Sequence, residues 1–130
     1  MNTKSTELDI PQDALERIFH EPSRLAIMAA LCAAEPEGLS FTELKQSCDL
    51  TDGNLNRHLS VLVEAGAARQ TKEFVGVKPR TTVFVTRTGL KRFSQYLDAL
   101  QQALQAAQAS LPSPSRRATT PGSLPRMARA

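Results

Sequence analysis

The stretch Leu50-Thr51-Asp52-Gly53-Asn54-Leu55-Asn56-Arg57-His58-Leu59-Ser60-Val61-Leu62-Val63-Glu64-Ala65-Gly66 constrains this chain more than any other. Thr51 reads as a helix cap, its hydroxyl accepting from a backbone N–H that the first turn leaves unpaired. Asp52 adds negative charge where the helix dipole favours it, and Gly66 supplies a C-terminal stop. Between them Leu55, Leu59 and Leu62 recur at i, i+4 and i+7, which draws a single apolar stripe. Advancing about 100° per residue places Arg57 opposite that stripe, with Gly53 and Ser60 beside it and Asn54 and Asn56 on its flanks. The outward face thus offers a guanidinium, two carboxamides and a hydroxyl, and no carboxylate before Glu64. Arg fits guanine edges or phosphates and Asn fits adenine edges, so this face is suited to DNA. We therefore single out Gly53, Asn54, Asn56, Arg57 and Ser60 as candidate DNA contacts. His58, at the edge of the stripe, reads as packed rather than as a contact.

The stretch resembles the recognition helix of small bacterial winged-helix regulators related to the MarR-type and ArsR-type repressors, most closely in its D-G-N-L-x-R-H-L core. The resemblance extends over about residues 15–97. His20-Glu21-Pro22-Ser23-Arg24-Leu25 is similar to the opening of ArsR-type domains, and the T-x-x-G of Thr86-Arg87-Thr88-Gly89 to the start of a later helix in the same group. It implies a mainly α fold with a small β-hairpin, a winged helix-turn-helix carrying a long C-terminal dimerisation helix.

Upstream, Asp9-Ile10-Pro11 reads as the start of a short helix with Leu15, Ile18 and Phe19 on its apolar side, broken by Pro22. A second helix over 22–34 is apolar nearly all round (Leu25, Ile27, Met28, Leu31, Cys32) and is expected to be a buried spine. Leu39-Ser40-Phe41 is a candidate strand edge that pairs with the hairpin. Ser40 with Glu43 forms a capping box opening a helix over 41–48, which buries Phe41 and Leu44. With the helix capped by Thr51 this makes a helix-turn-helix, whose second member enters the major groove.

After Gly66 the period changes. Residues 67–75 and 81–86 read as strands by their β-branched and aromatic content, and Gly76-Val77-Lys78-Pro79-Arg80 reads as the tip between them. Lys78 and Arg80 are the candidate wing contacts, gripping backbone or reaching into the minor groove. Lys72 and Arg69 read as decoration of an exposed strand face. Beyond the wing, Leu90, Phe93, Leu97, Leu100, Leu104, Ala107 and Leu111 step by 3 and 4 in a heptad pattern, from which we expect a homodimer zipped in part through residues 90–111. Packing of that stripe on its own domain is the alternative. The expected organisation is a disordered 1–8, the DNA-binding domain over 9–88, the dimerisation helix over 89–111, and a disordered Pro/Ser/Arg-rich tail over 112–130.

Charge follows the same map. Residues 1–52 hold four Lys/Arg against ten Asp/Glu, whereas residues 53–97 hold eight Lys/Arg against two Glu. Positive charge begins where the candidate recognition helix begins, as a polyanion partner would require. No run of apolar residues is long enough for a membrane span, and Met1 to Glu7 has no signal-peptide character. Cys32 and Cys48 stand apart, which fits free thiols in a reducing cytoplasm. His20 and His58 lack zinc-site spacing, and no G-x-S-x-G, phosphate loop or dinucleotide fingerprint occurs, so neither an enzyme nor a cofactor is expected. The expected function is sequence-specific binding of double-stranded DNA by a homodimeric repressor at a near-palindromic operator. A metal- or thiol-responsive sensor, or a winged helix used for protein binding, remain open beside it. No small-molecule effector can be named from the residues.

Overall fold

The computed structural model describes residues 16–112. The expected helix start at Asp9-Ile10-Pro11, the expected disordered residues 1–8 and, save for Pro112, the expected disordered tail over 112–130 lie outside them. The described residues divide between two compact units at Ala99 and Leu100. The first unit contains the short α1 (Arg17–His20), α2 (Pro22–Ala33), β1 (Leu39–Ser40), α3 (Phe41–Cys48), α4 (Asp52–Glu64), β2 (Ala68–Val75) and β3 (Lys78–Val85). A last helix, α5, runs from Arg87 to Ser110. Among the described residues no helix is long and apolar enough to cross a membrane.

The core is built where the apolar periodicities meet. Leu55, Leu59 and Leu62 of α4 are fully or almost fully buried, with Ile27, Met28 and Leu31 of α2 and Leu44 of α3. Each such side chain contributes about 1.5–3 kcal/mol on leaving water. Phe19, Phe93 and Tyr96 form an aromatic cluster, with Phe19 meeting Phe93 edge-on at 5.4 Å and Tyr96 at 5.6 Å. Helix α2 is not buried all round: Leu25 and Cys32 are half-buried, and Ala26, Ala29 and Ala33 face out. An alanine methyl facing water costs little, so the outward side of α2 needs no cover. Phe41 is likewise half-buried rather than part of the core, because it sits in the first turn of α3 at the rim of a cleft.

The sheet is antiparallel in the order β1-β3-β2. The edge strand expected at Leu39 and Ser40 pairs with Val83 and Thr82. The β2–β3 ladder runs without interruption from Ala68↔Val85 to Val75↔Lys78. This corrects the position of the wing tip. Gly76, at φ 68°, lets the chain reverse in two residues, so Lys78, Pro79 and Arg80 belong to β3 and not to the turn. Pro79 is tolerated there because β1 pairs only with Val83 and Thr82, leaving β3 one neighbour at that height.

Helix α5 also departs from a single heptad stripe. Gly89, Phe93, Tyr96 and Ala99 are buried, whereas Leu90, Leu97, Leu104 and Leu111 are exposed. Phe93 thus leaves the expected partner-facing set, because its ring is taken up by Phe19 and Tyr96. Leu100 is half-buried and Ala107 exposed. The four exposed leucines keep a strict seven-residue spacing.

Candidate nucleic-acid interface

Helix α4 is held at both ends and in the middle. At its start Thr51 Oγ1 accepts from the Asn54 N–H at 3.2 Å, and Lys45 of α3 meets Asp52 at 2.8 Å. At the start of α3 the capping box is complete: Ser40 Oγ accepts from Glu43 N–H, and the Glu43 carboxylate accepts from Ser40 N–H. That second bond, chiefly, holds the Glu43 carboxyl below its ordinary range, and the charge of Arg80 adds a smaller push in the same direction. In the middle of α4, His58 turns inward and is 6% exposed. Arg24 of α2 donates from Nη1 to His58 Nδ1 at 3.2 Å and from Nε to the Ile18 carbonyl at 2.7 Å. A guanidinium only donates, so in this bond Nδ1 is the acceptor. Arg24 N–H in turn donates to Glu21, which caps α2 and is held below its ordinary carboxylate range chiefly by that bond.

At its far end, Thr86 Oγ1 donates to the Gly66 carbonyl at 2.6 Å and accepts from Gly89 N–H, so a single hydroxyl starts α5 and anchors the turn after α4. The recognition-helix candidate is therefore a fixed rod. Its inward leucines are buried and its outward face is open.

On that outward face Gly53, Asn54, Asn56, Arg57 and Ser60 are all exposed. Arg57 does not reach Glu64; its Nη2 donates to Asn54 Oδ1 at 2.8 Å. A Cβ on Gly53 would meet nothing within 4 Å, so this position is open surface. Asn56 lines a cleft of about 440 Å³ together with Phe41, Gln70, Lys72 and Thr81. Helix α4 and the wing therefore share one surface.

The strand register decides which wing residues reach that surface. Alternation puts Gln70, Lys72 and Phe74 of β2 on one face with Thr81 and Pro79 of β3. Arg69, Glu73 and Val75 occupy the other face with Phe84, Arg80 and Lys78. Lys78 and Arg80 are exposed, but they lie on the face away from the Asn56 cleft, with Arg80 directly opposite Glu73 and near Glu43. Arg69 lies over the Phe84 ring at 4.1 Å. Lys72 and Gln70 are the residues that a reading by strand content alone does not single out. Period-two alternation, combined with the antiparallel register, is the signal that finds them.

The two thiols are half-buried, and burial pushes both above the ordinary thiol value, Cys32 further helped by the charge of Glu35. Among the described residues no three His, Cys, Asp or Glu side chains come together as a metal site.

A recognition helix pinned at three points, open on its outer face and flanked by a hairpin, is the geometry that comparison with known proteins meets. A family model described as "Winged helix DNA-binding domain" matches residues 23–104. The chain belongs to the winged helix DNA-binding domain family. An uncharacterized protein of Methanocaldococcus jannaschii is 33% identical over 86 residues, covering 66% of this chain and 91% of that protein. The transcriptional regulator homologue from Pyrococcus horikoshii OT3 superimposes with a TM-score of 0.66 at 28% identity, covering 78% of this chain and 97% of the other. The MepR–DNA complex of Staphylococcus aureus shares the fold at 15% identity, with a TM-score of 0.53 and coverage of 82% and 77%. The matched winged helix region spans α2 through most of α5, and so takes in the pinned helix, the cleft and the hairpin. The chain is a small winged-helix DNA-binding regulator.

Proposed function

We propose that this protein binds a near-palindromic operator as a homodimer and represses transcription by occupying promoter DNA. The observation that carries the reading is the shared surface: Asn56 of α4 and Lys72 of the wing line one cleft, and Asn54, Arg57 and Ser60 are exposed on the same helix. In this reading α4 enters the major groove, Asn54, Asn56 and Arg57 meet base edges, and Gly53 and Ser60 allow close approach to the backbone. Lys72 contacts phosphate beside the groove, while Lys78 and Arg80 reach backbone from the outer face of the wing. The likeness to MepR, which is solved in complex with DNA, supports this use of the fold.

Dimerisation is assigned to the exposed leucines Leu90, Leu97 and Leu104 of α5 and Leu111 just beyond its end, with Ala107 and the half-buried Leu100 at the margin. A seven-residue apolar row left uncovered on a helix suits a second helix of the same kind. Two α4 helices related by twofold symmetry would then enter successive major grooves about one helical turn apart.

Selection of bound fragments from random duplex DNA, followed by a salt titration of the selected duplex, tests the reading. Binding through several phosphates should weaken by orders of magnitude between about 50 and 200 mM salt. A flat profile, or no selected sequence, removes it. Leu97→Glu with Leu104→Glu should halve the mass seen by light scattering; an unchanged dimer removes the α5 interface.

A further inference from the structure

The end of the wing is apolar. Phe74 is 73% exposed, Val75 59% and Val77 92%, and all three lie within four residues of one another around Gly76. None of them supports the core, which ends lower on the sheet at Val83 and Val85. Isolated exposed apolar side chains are ordinary, but here Phe74 on one face of the ribbon, Val75 on the other and Val77 in the turn leave the tip apolar all round, a concentration that marks a contact.

What surrounds the patch identifies its occupant. Lys78 pairs across the ladder with Val75, Phe74 pairs with Pro79, and Lys72 precedes Phe74 by two residues on the same face. Lys72 in turn lines the cleft with Asn56. The apolar tip is therefore the outer end of a row that begins at the recognition helix and carries lysine on its way. A surface that is cationic at its base and apolar at its point complements a polyanion whose interior is stacked and apolar. The minor groove of B-DNA is about 6 Å wide, closed to a whole two-stranded ribbon but open to a two-residue turn whose first member is glycine.

We propose that the wing acts as an apolar wedge: Val77 in the turn, with Phe74 at the end of β2 beside it in the chain, enters the minor groove beside the major groove read by α4 and partly unstacks one base step, bending the duplex. The wedge rests on the DNA-binding reading above and deepens it. Unstacking is least costly at pyrimidine–purine steps such as TA and CA, so the wedge gives sequence preference at a position where no hydrogen bond reads a base.

The test uses the full-length protein and the duplex obtained by selection from random DNA. Bend is read by energy transfer between end labels, affinity by titration, and step preference by replacing candidate TA or CA steps with AA. The wild type should bend the duplex and lose affinity when the step under the wing is replaced. Phe74→Ser with Val77→Ser, both at exposed positions, should leave the melting temperature unchanged. The double variant should bind about tenfold more weakly, bend less, ignore the step replacement, and keep its preference at positions facing α4. A straight duplex with the wild type, or a double variant with wild-type affinity and bend, overturns the wedge while leaving DNA binding intact. A double variant whose mass in light scattering falls to half that of the wild type also overturns it, since the tip would then be covered by a second copy. If the wild type selects no duplex at all, the underlying DNA-binding reading fails first.

Discussion

Arg92 Nη1 donates a 2.7 Å hydrogen bond to the carbonyl oxygen of Ala65, the residue that closes the C-terminal end of α4. The other two nitrogens of the same guanidinium grip both oxygens of the Glu16 carboxylate at 3.1 and 2.6 Å. A cation at a helix C-terminus satisfies a free carbonyl and suits the dipole. Here it also fixes where the recognition helix ends relative to α5. Nothing in the sequence pairs residue 92 with residues 16 and 65, since each is an ordinary charged or small residue in its own segment.

Arg92→Leu removes all three bonds and leaves a part-buried carboxylate without its partner. Both side chains of the pair are 26% exposed, so water recovers part of the loss, and the expected cost is about 1–3 kcal/mol. Urea melts of the two proteins measure it. Because the Ala65 carbonyl is freed as well, amide exchange in the last turn of α4 should quicken beyond the change in global stability. Uniform quickening would reduce Arg92 to a general stabiliser.

Gly89 is the second fastening of the same corner. A Cβ built there would collide with the carbonyl oxygen of Ala67 and lie 2.8 Å from its Cα, and these are backbone atoms that cannot swing aside. Gly89→Ala would ordinarily favour a helix by up to about 1 kcal/mol. Overpacking against backbone opposes this with about 1–3 kcal/mol or more, so the substitution should lower the melting temperature. A rise would mean that α5 stands farther from Ala67 than the structure has it.

The elements legible in the sequence are those fixed by neighbours a few residues apart. The leucine stripe of α4, the Thr51 cap and the Ser40–Glu43 box depend on local spacing, and the structure carries all three. The inward turn of His58 follows from its angle to the stripe. What was not legible depends on pairing between distant segments. The wing tip shortened because the register, not composition, sets where a hairpin turns. Lys72 reached the Asn56 cleft, and Arg80 did not, for the same reason. Heptad counting along α5 could not tell Phe93 from Leu97, because the two differ only in whether Phe19 lies opposite.

Acid should loosen the corner where α3 begins. The Glu43 carboxyl titrates below its ordinary value of 4.5, chiefly because Ser40 N–H donates to the charged form. Its folded value is thus lower than its unfolded one. The stability it lends is complete above the ordinary carboxylate range and is lost as pH falls through the folded value. Glu43→Gln can still accept from Ser40 N–H but carries no charge. The melting-temperature gap between wild type and Glu43→Gln should therefore be full near neutral pH and close progressively below 4.5. A gap independent of pH would show that the charge adds nothing to the cap.

The bond from Arg57 Nη2 to Asn54 Oδ1 bears directly on how DNA is read. It spans one turn on the exposed face of α4 and holds the guanidinium over the helix instead of letting it range through solvent. If Arg57 meets a base edge, Arg57→Ala should cost about 1–3 kcal/mol of binding and relax preference at one position; if it meets phosphate, the loss should be uniform across sequences and the salt slope should fall by about one. Asn54→Ala releases the guanidinium while leaving it present. Where Asn54 acts only by orienting Arg57, the double variant should bind no worse than Arg57→Ala alone. Losses that add would instead give Asn54 a contact of its own, and relaxed preference at a second base would locate it. Titrating the four proteins against a selected duplex and its single-base variants separates these outcomes, because coupling between the two residues appears as a departure from additivity.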